Sequence, residues 1–247
     1  MKAQSYNSFS LLEVEYLGPS LEEGPKPAII YFSLSANESL NLDPYNQPAL
    51  SISSNECRIF SITLPGHHKG QDKFKAMEYW ATHLNELKKF IESAHEFIDH
   101  LIEKNIAIQK KIGTMGLSRG GFIALHLATH NEIAASASFA PVTNLKSLIE
   151  FQRNLDPHTT ESLLLENQFH KLFNKPIRNY IGNRDTRVST KDAYLFTEKL
   201  SEYAYQNRVR SPKVELFIIP SIGQFGHGTL PQTFEEGAKW LKKQIVK

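Results

Sequence analysis

Short apolar runs alternate with longer amphipathic stretches along most of this chain. The apolar runs lie at 28–32, 57–64, 111–117, 134–139, 177–181 and 214–219. Runs of this length, separated by segments with helical periodicity, indicate parallel strands that are buried on both faces and joined by crossover helices. We therefore expect an α/β fold with a mostly parallel central sheet and helices on both faces.

The stretches between the strands predict helices of different lengths. Between Phe74 and Lys104, apolar residues recur three and four positions apart, which predicts one long amphipathic helix with room for a kink. The segment 144–174 carries scattered leucines without a strand pattern, so we expect a small helical insertion that acts as a lid. Because α/β folds of 247 residues commonly form one domain, we expect a single domain over 1–247.

Composition excludes several classes of protein. Lys and Arg total 28 against 26 Asp and Glu, and this balance gives no electrostatic reason to expect nucleic acid as a partner. Cys57 is the only cysteine, so no internal disulfide forms and a cytoplasmic location is expected. No apolar run approaches the roughly 18 residues that a membrane span needs, and the first ten residues do not resemble a secretory signal.

One motif carries chemistry. The residues at 116–120 fit G-x-S-x-G and lie between the predicted strand 111–117 and the helix that follows it. In this motif the small residues allow a sharp strand-to-helix turn that exposes the serine, here Ser118. A serine hydroxyl is a weak nucleophile at neutral pH, so Ser118 needs a neighbouring base that an acid holds in place.

Candidates for these partners follow later strands. Asp185 comes after the run 177–181, and His227 comes after 214–219 between two glycines. Each residue also has an ordinary interpretation: Ser118 as part of a glycine turn, Asp185 as an ion-pair partner or a helix-start carboxylate, and His227 as a structural loop residue. The order serine, acid, histidine along the chain favours the catalytic interpretation of all three.

These motifs resemble those of α/β-hydrolase fold enzymes over nearly the whole of 28–246. The runs G-x-S-x-G-G at 116–121, G-x-x-D-x-x-V at 182–188 and Gly-His-Gly at 226–228 are similar to those of dienelactone-hydrolase-like esterases, acyl-peptide hydrolases and the prolyl oligopeptidase catalytic domain. The resemblance implies that Ser118 is the nucleophile, Asp185 the acid and His227 the base. It implies no metal ion and no organic cofactor.

The loop after the first predicted strand departs from the family pattern. Related enzymes usually carry His-Gly there, whereas this chain has Ser33-Leu34-Ser35-Ala36. Because a backbone N–H supplies the oxyanion-hole hydrogen bond, the departure does not remove the donor. We expect the N–H of Arg119, next to the nucleophile, together with that of Leu34 or Ser35.

The resemblance implies a serine hydrolase that acts on a small acyl compound, and a carboxylesterase is the first expectation. The alternatives are a serine oligopeptidase or acyl-aminoacyl hydrolase, and a catalytically silent relative that binds a ligand.

The Arg119 side chain has two possible roles, a contact to a substrate carboxylate or phosphate and an ion pair with a loop acid. His67 and His68 are predicted to be solvated loop residues rather than metal ligands. The sequence leaves the oligomeric state open.

Overall fold

A single sheet forms the centre of the computed structural model, which describes residues 3–52, 55–153 and 157–246. Its strands are β1 (Gln4–Tyr6), β2 (Val14–Leu17), β3 (Lys26–Phe32), β4 (Arg58–Ile62), β5 (Ala107–Leu117), β6 (Ile133–Phe139), β7 (Ile177–Gly182) and β8 (Val214–Ile219). The strand order is β1-β2-β4-β3-β5-β6-β7-β8. β2 is antiparallel to β1 and β4, and the other neighbouring pairs are parallel. The predicted mostly parallel sheet is confirmed.

Helices cover both faces of this sheet. They are α1 (Ala36–Asn41), α2 (Gln47–Leu50), α3 (Ala76–Thr82), α4 (Leu84–Glu103), α5 (Arg119–Leu127), α6 (Ile149–Arg153), α7 (Pro157–Ser162), α8 (Phe169–Leu172), α9 (Thr190–Gln206) and α10 (Pro231–Val246). Along β3, Ile30 and Phe32 pack into the core beneath α4 and α5, whereas Ile29 and Tyr31 pack into the core beneath α10. This alternation explains why the strand reads as an unbroken apolar run. Within the described ranges, no helix is long and apolar enough to cross a bilayer.

The helix predicted from Phe74 to Lys104 is interrupted. α3 ends at Thr82 and α4 begins at Leu84, because His83 has φ −127° and ψ 47°, outside the helical region. The apolar spacing continues through the break, since α4 buries residues three and four positions apart along its whole length. Periodicity therefore located the buried face of both helices but not the break between them.

A buried arginine joins the chain segments at the amino ends of β3, β4 and β5. Arg58 is fully buried at the start of β4. Its guanidinium donates hydrogen bonds to the carbonyl oxygens of Pro19 at 3.1 Å, Gly24 at 2.8 Å and Ile106 at 2.6 Å, and to that of Ser20. These bonds satisfy a buried charge with backbone acceptors and tie two connections, β2 to β3 and α4 to β5, to the start of β4.

Candidate active site

Ser118 lies at a sharp turn between β5 and α5. Its backbone has φ 55° and ψ −114°, a conformation that a non-glycine residue rarely adopts. Three backbone hydrogen bonds hold it: the Ser118 N–H donates to Phe139 O at 2.8 Å, and its carbonyl accepts the N–H groups of Gly121 at 3.0 Å and Val142 at 3.1 Å. The turn is therefore fixed by its neighbours on both sides, and it places the half-buried Ser118 side chain at the end of β5.

The flanking glycines are required by close backbone approach. A Cβ on Gly116 would collide with the carbonyl group of Gly120, and a Cβ on Gly120 would collide with the Phe32 carbonyl at the end of β3. α5 consequently begins directly against the ends of β3 and β5. The G-x-S-x-G pattern thus has the strand-to-helix context that the sequence predicted for it.

A continuous hydrogen-bond chain joins the three predicted catalytic side chains. His227 Nε2 lies 2.8 Å from Ser118 Oγ, and His227 Nδ1 lies 2.7 Å from Asp185 Oδ2. The Asp185 carboxylate is fully buried, whereas the His227 side chain is 21% exposed. Asp185 Oδ1 accepts the backbone N–H groups of Arg187 at 2.9 Å and Val188 at 3.0 Å. The second oxygen is therefore left for His227, and the carboxylate is held in one orientation.

The loops that carry Asp185 and His227 are bonded to each other. The Arg184 N–H donates to Ser221 Oγ at 2.6 Å, the Ser221 N–H donates to Asn183 Oδ1 at 3.1 Å, and the Thr186 N–H donates to Phe225 O at 2.9 Å. These bonds connect residues on either side of Asp185 to residues that precede His227, so they fix the two loops against each other. The sequence patterns did not reveal Asn183 and Ser221, whose side chains join the two loops.

The site opens into a pocket of about 430 Å³. Its lining comprises Ser33, Leu34, Pro44, Tyr45, Leu117, Ser118, Arg119, Ile222, His227, Gly228, Thr229 and Phe234. One wall comes from the segment after β3, where the Tyr31 hydroxyl donates to the carbonyl of Tyr45 at 2.6 Å. The described residues of 144–174 do not line this pocket; they form α6, α7 and α8 at the end of β6.

The candidate oxyanion donors differ in their surroundings. The Leu34 N–H lies on the pocket wall and donates to Ser39 Oγ at 3.0 Å. Ser35 caps the N-terminus of α1, where its Oγ accepts the Glu38 N–H at 3.2 Å, and it lines a neighbouring cavity of about 310 Å³ instead of the pocket. The N–H of Arg119, the first residue of α5, has no acceptor among the described residues. Of the three groups, Arg119 thus has the donor most available to a ligand beside Ser118.

A model of the dienelactone hydrolase family matches residues 64–211, more than half of the chain. The chain belongs to the dienelactone hydrolase family. The matched range contains Ser118 and Asp185 and ends before His227, whose place beside them comes from the coordinates alone. No curated protein matches this family member in sequence.

Solved structures share the architecture of this dienelactone hydrolase family member. A puromycin-hydrolyzing peptidase from Mycobacterium tuberculosis superposes with a TM-score of 0.69 at 13% identity, over 99% of this chain and 40% of that one. Est1E from Butyrivibrio proteoclasticus gives 0.67 at 13%, over all of both chains. An S-formylglutathione hydrolase from Agrobacterium tumefaciens gives 0.64 at 12%, over 98% and 94%. The fold is therefore the α/β-hydrolase fold, and the chain spans less than half of the peptidase.

Proposed function

We propose that this family member is a serine carboxylesterase that cleaves small acyl esters through an acyl-enzyme intermediate. The observation that carries the proposal is the hydrogen-bond chain from Ser118 through His227 to the buried Asp185. A nucleophile, a base and an orienting acid within hydrogen-bonding distance of one another are the arrangement that activates a serine. The chain ends in a pocket large enough for a small ester.

In the proposed acylation step, Ser118 Oγ attacks the ester carbonyl while its proton moves to His227 Nε2. Asp185 holds the Nδ1–H of His227 and stabilises the imidazolium that forms. The Arg119 N–H donates to the carbonyl oxygen as it becomes negative. The Leu34 N–H is our second donor, and it must exchange its bond to Ser39 Oγ for one to the substrate oxygen. His227 then protonates the departing alkoxide, which leaves the acyl group on Ser118.

Deacylation repeats the same steps with water as the nucleophile. His227 takes a proton from a water molecule, the resulting hydroxide attacks the acyl carbonyl, and Ser118 leaves with the proton returned by His227. Every proton is transferred by a side chain of this chain, so the proposed cycle calls for no metal ion and no organic cofactor. Ser118 is released unchanged at the end of the cycle.

The second candidate is a serine peptidase that acts on short or acylated peptides. It is favoured by the structural similarity to the puromycin-hydrolyzing peptidase, which is restricted to the fold at 13% identity. Esters and amides differ in the leaving group that His227 protonates, so the same site geometry is compatible with both. Hydrolysis of 4-nitrophenyl esters compared with aminoacyl 4-nitroanilides separates the two candidates.

The test is turnover of 4-nitrophenyl acetate and butyrate by the wild-type chain and by Ser118→Ala. Removal of the nucleophile is expected to lower kcat/KM by about 10⁴-fold or more. The control is Ser147→Ala, which removes a hydroxyl from an exposed serine outside the pocket and is expected to keep full activity. Equal activity of wild type and Ser118→Ala would exclude Ser118 as the nucleophile. Absence of turnover on every ester and amide would favour a protein that uses the pocket for binding alone.

A further inference from the structure

The central sheet ends in two edge strands of very different character. β1 is short and polar, with Gln4 and Ser5 exposed, as is usual for an edge that does not pair with another chain. β8 has six residues, of which five are apolar, and it contains no lysine, proline or bulge. Among the described residues, β8 pairs with β7 alone. β8 is therefore an open edge without the features that block pairing with another strand.

The free backbone groups of β8 belong to alternate residues. The carbonyl of Lys213 accepts the Ile177 N–H at 2.8 Å, so it faces β7. The carbonyl of Ile219 accepts the Asn183 N–H at 2.7 Å and faces β7 as well. Because backbone groups alternate in direction along a strand, the even-numbered residues of β8 direct their N–H and C=O groups away from β7. These residues are Val214, Leu216 and Ile218. Within the part of the chain that the structure describes, no donor or acceptor meets their backbone groups.

The side chains of these three residues follow a symmetric order. Val214 and Ile218 place a β-branched residue on each side of Leu216, and all three side chains lie on the sheet face that α9 covers. Val214 and Leu216 pack against the core there, whereas Ile218 is 54% exposed. When a second copy of the strand lies antiparallel about Leu216, Val214 of each copy stands opposite Ile218 of the other. The strand is therefore self-complementary, and this pairing covers its exposed isoleucine.

The one charged side chain of β8 does not oppose such pairing. Glu215 lies on the other face of the sheet, where its Oε2 is 2.7 Å from Arg178 Nε. The Arg178 guanidinium also lies over the rings of Phe217 and Trp240, 4.8 Å and 4.7 Å from their centroids. In the antiparallel arrangement, Glu215 stands opposite Phe217 of the other copy and not opposite a second carboxylate. The two strands therefore bring no like charges together.

The helix beside this edge presents two exposed aromatic side chains. Tyr194 and Tyr205 of α9 are 50% and 61% exposed. They are eleven positions apart, a spacing that places both on one side of the helix. Tyr203, on the opposite side of α9, contacts the rings of Phe169 and Phe173 in and after α8, toward the centre of the sheet. Tyr194 and Tyr205 consequently lie on the outer side of α9, next to the open edge of β8.

We propose that this chain forms a two-fold symmetric dimer in which β8 pairs antiparallel with β8 of a second copy, centred on Leu216, with Tyr194 and Tyr205 of both α9 helices beside the paired strands. Each opposed pair of outward-facing residues exchanges two N–H···O hydrogen bonds. Tyrosines are enriched at interfaces because the ring buries apolar area while the hydroxyl keeps a hydrogen-bond partner. The two-fold axis closes the assembly at two copies, so no β8 edge stays open. The inference concerns assembly and does not depend on the proposed esterase function.

Sedimentation equilibrium of the full chain over a series of concentrations tests the dimer. The expected result is reversible association of the 28.1 kDa chain to a species of twice that mass. Ile218→Lys puts a charge on the paired edge and is expected to raise the dissociation constant by about 100-fold or more. The matched control is Ile149→Lys, which makes the same change at an isoleucine of α6 that is also 54% exposed and should leave the constant unchanged. A single 28.1 kDa species at every concentration, or an open-ended assembly, would overturn the inference.

A second variant shows whether the backbone of β8 makes the interface. Ile218→Pro removes an N–H that points away from β7, so it keeps the bonds to β7 and removes one to the second copy. It is expected to weaken the dimer by about tenfold or more. Circular dichroism establishes that both Ile218 variants are folded. A dimer that persists undiminished in both variants uses another surface and would overturn the inference.

Hydrogen exchange of the wild-type chain locates the interface without any substitution. The amides of Val214, Leu216 and Ile218 face the second copy in the dimer and solvent in the monomer. They are expected to be protected at high protein concentration and to exchange faster on dilution. Amides that exchange equally fast at both concentrations, while sedimentation shows a dimer, would place the contact elsewhere and overturn the inference.

Discussion

Replacing Asp185 by asparagine is expected to reverse the hydrogen bond that orients His227. Asp185 Oδ1 accepts two backbone N–H groups, so the asparagine carbonyl oxygen takes this position and its amide faces His227 Nδ1. Nδ1 then becomes an acceptor, which transfers the imidazole proton to Nε2. The nitrogen 2.8 Å from Ser118 Oγ would carry a hydrogen and could no longer accept the serine proton.

Loss of the correct tautomer in a triad of this kind lowers kcat by about 10⁴-fold, which corresponds to about 5.5 kcal/mol of transition-state stabilisation. The assay is the steady-state hydrolysis of 4-nitrophenyl acetate at pH 8 by Asp185→Asn, with circular dichroism to establish that the variant is folded. Asp192→Asn is the matched control, because it makes the same chemical change in the first turn of α9, away from His227, and is expected to keep activity within twofold. If folded Asp185→Asn kept more than a tenth of the wild-type rate, the assigned role of Asp185 would be refuted.

Two further predictions concern stability. Arg58→Met takes the guanidinium donor from the carbonyl oxygens of Pro19 and Gly24, and it leaves those of Ser20 and Ile106 with only the N–H groups of Glu23 and Lys26. Urea unfolding should therefore show a loss of about 2–5 kcal/mol, and a loss below about 1 kcal/mol would contradict the role given to this guanidinium. His126 is buried, with one ring nitrogen 2.9 Å from the carbonyl oxygen of Leu163, and burial lowers the pKa of its imidazole to about 4. As pH falls, the imidazole of His126 is therefore protonated in the unfolded chain before it is protonated in the folded chain. Its stabilising contribution is complete above about pH 6.5 and is lost as pH falls toward 4, by about 3 kcal/mol in total. His126→Gln should flatten that part of the stability profile, and an unchanged slope would contradict the assignment.

The sheet was predictable because burial on both faces leaves a strong signal in the sequence. A strand such as β3 packs against helices on either side, so it reads as a continuous apolar run bounded by turn residues. The break at His83 left no comparable signal, since the apolar spacing runs through it. Periodicity reports which side of a helix is buried, whereas a break depends on the backbone angles of one residue.

The meeting of Ser118, Asp185 and His227 at one place was predictable from their positions after strands. Each follows a parallel strand, and the carboxyl ends of parallel strands meet at one edge of the sheet. The wall formed by Pro44 and Tyr45 was not predicted, because the polar loop that carries it has no periodic pattern. Such a wall depends on long-range contacts, here the bond between Tyr31 and the Tyr45 carbonyl, that no local pattern encodes.

His67 is buried, at 6% exposure, which corrects the prediction that it is a solvated loop residue. Its buried state could not be predicted either. Its neighbours Pro65 and Gly66 are typical of an exposed turn, and His68 beside it is indeed exposed. In the fold, however, this turn packs beneath α3, where a Cβ on Gly66 would lie 2.8 Å from that of Ala76. Pro65 and Gly66 indicated the turn correctly, whereas tertiary packing determines that His67 is buried and His68 is exposed.

The most direct test of the central claim is the intact mass of the protein after incubation with a fluorophosphonate. These reagents phosphonylate a serine that a neighbouring base has activated, so one adduct is expected on the wild-type chain and none on Ser118→Ala. Peptide mapping should place the adduct on Ser118. A folded wild-type protein that gains no adduct, or an adduct that persists on Ser118→Ala, would contradict the assignment of Ser118 as an activated nucleophile.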